Sequence, residues 1–403
     1  MIADASLSEI ARRDIEIRAW AYLPAETGAI PPATPMNGPL AGLKFGVKDV
    51  MNVRGMPTQH GAALSAVEPA RFDAACVAML RAAGAHPVGK TVTAEFAVTA
   101  PGPTRNPWNL AHTPGGSSSG SAAAVAAGMV DFALGTQTGG SMIRPAAFNG
   151  VVGFKPSFGR VPRTGMQVLC DSLDTIGWFT RDIGLCRHIA QVFFGERTDA
   201  ARTVPNTLRV GVLASLEAGA LEASAMDALR QAAEDLARHG AEVEWIEEGE
   251  RVTSALAIHQ GIMAYELARG LLPILQAEPS ALRPQTMAAV EQGLAVTAEE
   301  YHALLQRRGT LQQAWERRCE GFDLVLTPSA PGAAPAGHAS TGSSIFNRTW
   351  SLLGWPSIHL PTSEHDNLPI GVQCVGHPLQ DLLLLDIAAA IHPWIDRRSR
   401  RQP

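Results

Sequence analysis

Two clusters of small residues carry the hydroxyls that could do chemistry: Gly115-Gly116-Ser117-Ser118-Ser119-Gly120 and Thr138-Gly139-Gly140-Ser141, joined by an Ala-rich segment. Gly and Ser bury almost no apolar area, and Gly loses the most backbone freedom on folding, so such a run serves its backbone and hydroxyls rather than a core. In the second cluster a hydroxyl follows successive flexible residues. Consecutive backbone N–H groups can then converge on one spot and form an oxyanion hole beside a serine nucleophile. A serine is inert without a base. The acceptors on offer are the hydroxyls of the first cluster and a lysine whose pKa is lowered by burial. The chain has 33 Lys+Arg, of which only Lys44, Lys48, Lys90 and Lys155 are lysines. Where arginine is the default cation, a lysine is kept for what arginine cannot do, which is to lose its proton.

Two other motifs match by letter and fail in context. Gly84-Ala-His-Pro-Val-Gly89-Lys90-Thr91 fits the phosphate-loop pattern, but its first glycine ends a helix and Pro87 removes an amide that should cradle phosphate. Gly116-Ser117-Ser118-Ser119-Gly120 fits the nucleophile-elbow pattern with Ser118 at its centre. The turn-rich Asn106-Pro107-Trp108-Asn109 stands where the entering strand should be, and no later His has a triad context.

The elements that must position these groups are those of an α/β chain. A helix is expected over 6–23, then a Pro/Gly-rich loop at 24–42, extended segments at 43–47 and 49–53 around Lys48, a helix over 72–84 and a buried strand at 87–90. The segment 122–128 should be a helix whose N-terminus faces the first Ser/Gly cluster. Further on, strands are expected at 208–213, 242–246, 323–327, 357–360 and 371–375. Helices are expected at 224–239, from a Thr297/Glu300 capping box towards Arg318, and at 382–391. The Pro/Ala/Gly/Ser-rich segment 328–344 reads as a surface loop. No internal repeat or charged linker appears, which favours one domain.

Composition narrows the function classes. With 46% hydrophobic and 18% charged residues the chain is globular, and a net charge of −5 leaves no electrostatic footprint for nucleic acid or an anionic membrane. No run reaches the ~18 apolar residues of a membrane helix. Five scattered cysteines, Cys76, Cys170, Cys186, Cys319 and Cys374, and an N-terminus without a signal-peptide pattern point to the cytoplasm rather than to a disulfide framework or a structural zinc site.

GGSSSGSAAAVAAG followed by GTQTGGSMIRPAAFNGVVGFKPS closely resembles the amidase signature family. Gly46-Val47-Lys48-Asp49 is similar to the family's lysine segment, and Val88-Gly89-Lys90-Thr91 through Glu95-Phe96 to its GKT…EF segment. Ser172 to Gly177 and Leu368 to Gln373 are similar to further blocks, so the likeness spans nearly the whole chain. It implies a single α/β domain over 1–403 with a signature core at about 40–180, built on a central mixed, twisted sheet with helices on both faces. It also implies a Ser–cis-Ser–Lys triad. By position Ser141 is the nucleophile, Ser117 the cis-serine relay and Lys48 the base, with the amides of Thr138, Gly139, Gly140 and Ser141 as the oxyanion hole. No metal or organic cofactor is required. Ser119 and Asn149 depart from the family's commonest residues without touching the triad.

Arg144, three residues past Ser141, has two roles open to it: a bidentate anchor for a substrate carboxylate, or a structural arginine that pairs with Asp174 or caps a turn. The spacing most resembles malonamidase-type members, which act on small monoamides of dicarboxylic acids. The implied function is hydrolysis of a small-molecule amide through an acyl-enzyme. The alternatives are an amidotransferase subunit that acts on a glutaminyl-type substrate with a partner protein, a broad aliphatic or aryl amidase, and a silent scaffold. His112, Asp174 and Asn347 read as structural. The Phe346, Trp350 and Trp355 cluster is a pocket wall, a homodimer interface or plain core, and specificity should lie in loops 24–42, 160–175 and 328–350.

Overall fold

The structure, a computed structural model, describes residues 7–24, 38–65, 67–98, 100–195, 204–214, 221–398 and 403. The first half of the chain supplies strands β1 (Trp20–Tyr22), β2 (Lys44–Lys48), β3 (His86–Thr91), β4 (Phe132–Gln137), β5 (Val152–Lys155) and β6 (Thr175–Thr180). The second half adds β7 (Arg209–Val212), β8 (Glu242–Trp245), β9 (Leu324–Pro328), β10 (Ser357–His365) and β11 (Leu368–Val375). All join one eleven-stranded sheet in the order β1-β3-β2-β4-β6-β5-β10-β11-β9-β7-β8. β2 runs parallel to β3 and β4, and β7 to β8 and β9, while the remaining pairs are antiparallel, so the sheet is mixed as expected.

Twelve helices are seen among the described residues. The first six are α1 (Leu7–Ile17), α2 (Ala75–Ala82), α3 (Ser119–Ala126), α4 (Ile143–Asn149), α5 (Ile183–Phe194) and α6 (Ala223–Arg238). Then come α7 (Gly249–Gly270), α8 (Leu272–Ala277), α9 (Pro284–Leu294), α10 (Ala298–Cys319), α11 (Ile345–Leu353) and α12 (Asp381–Ile395). Side chains alternate across a strand. Phe132 and Leu134 of β4 therefore enter the core shared with α2, α5, α6 and α12, while Ala133 between them packs with α1, α3 and α4 on the opposite face. Val325 and Val375 on that second face meet α7, α10 and α11. Gly135, two residues from Ala133, admits a close approach: a Cβ there would lie 2.6 Å from Met142 Sδ and 2.9 Å from Ser118 Oγ. Both Ser clusters thus rest directly on the sheet.

Several expectations need correction. The N-terminal helix ends at Ile17, where Arg18 takes φ +56°, and the chain continues as β1; the expected start at Ser6 lies outside the described residues. Residues 49–53 form no strand: Asp49 and Val50 make a turn, with the Asp49 carboxylate folded onto Lys90 (2.8 Å), and Met51 makes an isolated antiparallel bridge to Met166. The segment 328–344 is a surface loop only in part: residues 335–340 are exposed, and the flanking residues turn inward. Ser329, Ala330, Ala334 and Thr341 are buried, and Thr341 Cγ2 sits 2.7 Å from where a Cβ of Gly116 would be. Phe346, Trp350 and Trp355 are core, with Trp350 edge-on to Trp315 at 5.2 Å. The Thr297/Glu300 capping box is present and opens α10. Among the described residues no helix is long and apolar enough to cross a membrane. In the loop expected at 24–42, residues 25–37 lie outside the description.

Candidate active site

Lys48 is the last residue of β2, between β3 and β4, and is fully buried. Its Nζ donates to Ser117 Oγ (2.8 Å) and to Thr136 Oγ1 of β4 (2.7 Å). Burial lowers its pKa from 10.5 to about 7; Asp174 opposes that shift and Arg144 adds to it. A lysine surrounded by hydroxyls and stripped of water is a base at neutral pH.

Ser117 follows a cis Gly116–Ser117 peptide bond, with Gly115 at φ +77°. A residue with a Cβ is disfavoured at that φ, and at Gly115 the added atom would also lie 2.9 Å from Pro145 Cα. The loop is tied on all sides: Ala94 N–H donates to Ser117 O (3.0 Å), and Arg144 Nη2 donates to Gly116 O (2.5 Å). Ser118 turns away from any nucleophile role, its Oγ donating to Thr136 O (3.1 Å) and accepting from Thr136 N (3.2 Å). Ser141, at 9% the most exposed hydroxyl of the two clusters, lies one residue before the N-cap of α4.

The Thr138–Ser141 loop is held from behind. Asp174 accepts from Thr138 Oγ1 (2.5 Å) and from the amides of Leu169 and Cys170. Gln137 Oε1 accepts from the amides of Met142 (2.8 Å) and Ile143 (3.1 Å), while its Nε2 donates to Ser351 Oγ (2.9 Å). Ser351 Oγ donates in turn to Gly139 O (2.6 Å), and His259 Nε2 lies 2.9 Å from Thr138 O. Among the described residues, the amides of Gly139, Gly140 and Ser141 donate to no protein acceptor.

The structure settles the partners of Arg144. Its guanidinium donates to the carbonyls of Gly116 (2.5 Å) and Gly342 (2.6 Å) from a buried position, and among the described residues it forms no pair with Asp174. His112 Nδ1 bonds Ala334 O (2.7 Å), and Asn347 Nδ2 donates to Ser329 O (3.0 Å) and Gln373 Oε1 (3.2 Å). Lys90 is committed to Asp49, Pro57 O and Thr58 Oγ1 within a strand, which removes it from any phosphate loop.

Sequence reasoning does not reach Thr136, Gln137, His259, Arg348 and Ser351. Thr136 and Gln137 stand within the signature stretch, where polar residues in a buried strand are a usable signal. Nothing local marks His259, 121 residues from the carbonyl it meets.

A family model described as Amidase matches residues 21–385. A glutamyl-tRNA(Gln) amidotransferase subunit of Symbiobacterium thermophilum is 33% identical, covering 88% of this chain and 83% of its own. A solved amidase is 31% identical with a TM-score of 0.85, over 96% of this chain and 95% of that one. The solved glutamyl-tRNA(Gln) amidotransferase subunit of Thermotoga maritima is 28% identical with a TM-score of 0.82, over 96% and 89%. With a match across this sheet and across the segments that carry Lys48, Ser117 and Ser141, the chain belongs to the amidase family and is an enzyme of amide C–N bonds.

Proposed function

We propose that the chain hydrolyses a small carboxamide through Ser141, Ser117 and Lys48. Ser141 Oγ attacks the carbonyl carbon, its proton passing to Ser117 Oγ as Ser117 gives its own to Lys48 Nζ. The oxyanion is met by the amides of the Thr138–Ser141 loop. Protons return through Ser117 to the departing nitrogen, ammonia leaves, and an ester on Ser141 remains; water opens it along the same path to give the carboxylate. One observation carries this reading: a fully buried Lys48 Nζ, 2.8 Å from Ser117 Oγ, with a pKa near 7. No step calls for a metal or organic cofactor.

The substrate reading changes with Arg144, which clamps backbone. A free cation exists nearby in Arg348, whose Cγ would be 3.7 Å from a Cβ at Gly139; its Nε donates only to Ser344 Oγ (3.1 Å), and it forms no ion pair among the described residues. A half-buried unpaired arginine beside the oxyanion loop favours an amide that carries a carboxylate. Two substrates meet that demand: a malonamidase-type monoamide and glutamine, whose α-carboxylate is on the same molecule as its side-chain amide. The relatives support the second, an amidotransferase subunit that releases ammonia for a partner protein. The broad aliphatic or aryl amidase leaves Arg348 unexplained. The buried free cysteines fit a cytoplasmic enzyme.

Ammonia release from glutamine, malonamate, succinamate, an aliphatic amide and an aryl amide tests this, with gel filtration to report a homodimer. Glutamine should lead, Arg348→Ala should raise KM for the charged amides alone, and Ser141→Ala should abolish turnover. A lead for malonamate would restore the stand-alone monoamidase. Substantial residual activity in Ser141→Ala would refute the assignment.

A further inference from the structure

The oxyanion loop is aimed by two side chains that lie far from it in sequence. In a planar trans peptide the C=O of one residue and the N–H of the next point in opposite directions. His259 of α7 bonds the carbonyl of Thr138 (2.9 Å), which turns the N–H of Gly139 away from α7. Ser351 of α11 donates to the carbonyl of Gly139 (2.6 Å), which turns the N–H of Gly140 away from α11. The carbonyl of Gly140 accepts from the Arg144 amide (3.0 Å) at the start of α4. Three consecutive carbonyls are thus engaged on the outside of the loop, while the amides of Gly139, Gly140 and Ser141 keep no protein acceptor among the described residues.

We propose that His259 and Ser351 are positioning residues for the oxyanion hole, fixing the Thr138–Gly139 and Gly139–Gly140 peptide planes so that two adjacent amides face the developing oxyanion. This rests on the Ser141 amidase reading. Glycines make the device necessary, since a Gly-Gly pair has no side chain to choose between the two orientations of its peptide plane. The chemistry of the imidazole suits the task. A carbonyl oxygen only accepts, so the proton sits on Nε2, and burial pushes the ring pKa down to about 4, with Arg348 and Arg308 adding to the fall. The ring is a neutral, fixed donor throughout the range in which Lys48 works. Ser351 is itself oriented, because it accepts from Gln137 Nε2 (2.9 Å), and Gln137 also holds the amides of Met142 and Ile143 just beyond Ser141. One hydrogen-bond chain therefore ties both ends of the loop.

The test measures kcat and KM for the preferred amide, and the rate of Ser141 labelling by a fluorophosphonate, in His259→Leu, His259→Gln and Ser351→Ala. The phosphoryl oxygen of the probe occupies the oxyanion position without any leaving amine. His259→Leu should lower kcat and the labelling rate together by about 10- to 100-fold, with KM changed by less than about threefold. His259→Gln, which keeps an N–H donor, should recover most of that loss, and Ser351→Ala should reproduce it more mildly. Should His259→Leu fail to fold, Ser351→Ala carries the test, with the same joint fall in kcat and labelling at its milder size. Unchanged kcat and labelling in a folded variant, or a change confined to KM, would overturn the proposal. Wild-type protein that neither turns over an amide nor labels would overturn the Ser141 reading and this inference with it, and that outcome is distinct from a defect confined to the variants.

Discussion

Lys48 should set the acid limb of the pH–rate profile. Its Nζ touches two hydroxyls and, among the described residues, no carboxylate, and burial brings its pKa to about 7. Only the neutral amine accepts a proton from Ser117, so activity is lost as pH falls through that value and gained as pH rises. The active fraction is roughly one half at pH 7, about one tenth at pH 6 and about one hundredth at pH 5. Two neighbours bias the limb in opposite senses, Asp174 raising the lysine pKa and Arg144 lowering it. A unit charge about 10 Å away at an effective dielectric constant of about 20 is worth ~1.7 kcal/mol, or about one pH unit. Asp174→Asn should therefore move the limb to lower pH and Arg144→Met to higher pH, each by up to about one unit. Both variants lose rate for other reasons, since Asp174 holds Thr138 and Arg144 holds Gly116. The midpoint of the limb, unlike the plateau, reports only the titration. The assay is kcat/KM for ammonia release from pH 5 to 9, with Lys48→Arg as the control that should stay inactive throughout because a guanidinium keeps its proton. A profile flat between pH 5 and 7, shifts of the same sign in the two variants, or an active Lys48→Arg would refute the reasoning.

Lys90→Met should leave the Asp49 carboxylate buried without its partner and cost about 3–5 kcal/mol in chemical denaturation. A loss below about 1 kcal/mol would show that the pair is not held in solution. Gly135→Ala places a methyl 2.6 Å from Met142 Sδ and 2.9 Å from Ser118 Oγ. It should cost about 1–3 kcal/mol and depress kcat further than stability, because the atoms it displaces are next to Ser117 and Ser141; unaltered kinetics would contradict that coupling.

Legibility followed the kind of signal each element emits. Helix α6 (Ala223–Arg238) was readable from one apolar face, and α10 from its capping box. Strands β4 and β6 were not picked out as strands, because all twelve of their residues are buried and such strands show no alternation. With β4 unrecognised as a strand, the polar Thr136 within it, whose hydroxyl holds Lys48, lost its signal too. The buried ends of the segment 328–344 were hidden for a different reason. Small residues mark either a loop in solvent or a backbone laid against another backbone, and here Thr341 and Gly342 close over Gly116 and Arg144. His259 and Ser351 carry no local mark at all, since their meaning depends on α7 and α11 crossing the end of β4.

The scarcity of lysine pointed to burial but could not by itself choose the base. Lys48, Lys90 and Lys155 are all fully buried, and burial lowers the pKa of each. Lys90 donates to a carboxylate, Asp49 Oδ1 at 2.8 Å, whose charge opposes the effect of burial on the lysine. Lys155 donates to the carbonyl of Pro156 (3.0 Å), an acceptor that has no proton to exchange, so its pKa near 7 leads nowhere. Lys48 alone of the three donates only to hydroxyls, which both accept and donate and can therefore pass a proton along. The adjacent Asp49 would cancel this if it turned towards Lys48, yet its oxygens are taken by Lys90 and by the amide of Gln59. The buried Lys90–Asp49 pair thus keeps a carboxylate off the base, and the sequence neighbours Lys48 and Asp49 serve two separate electrostatic sites.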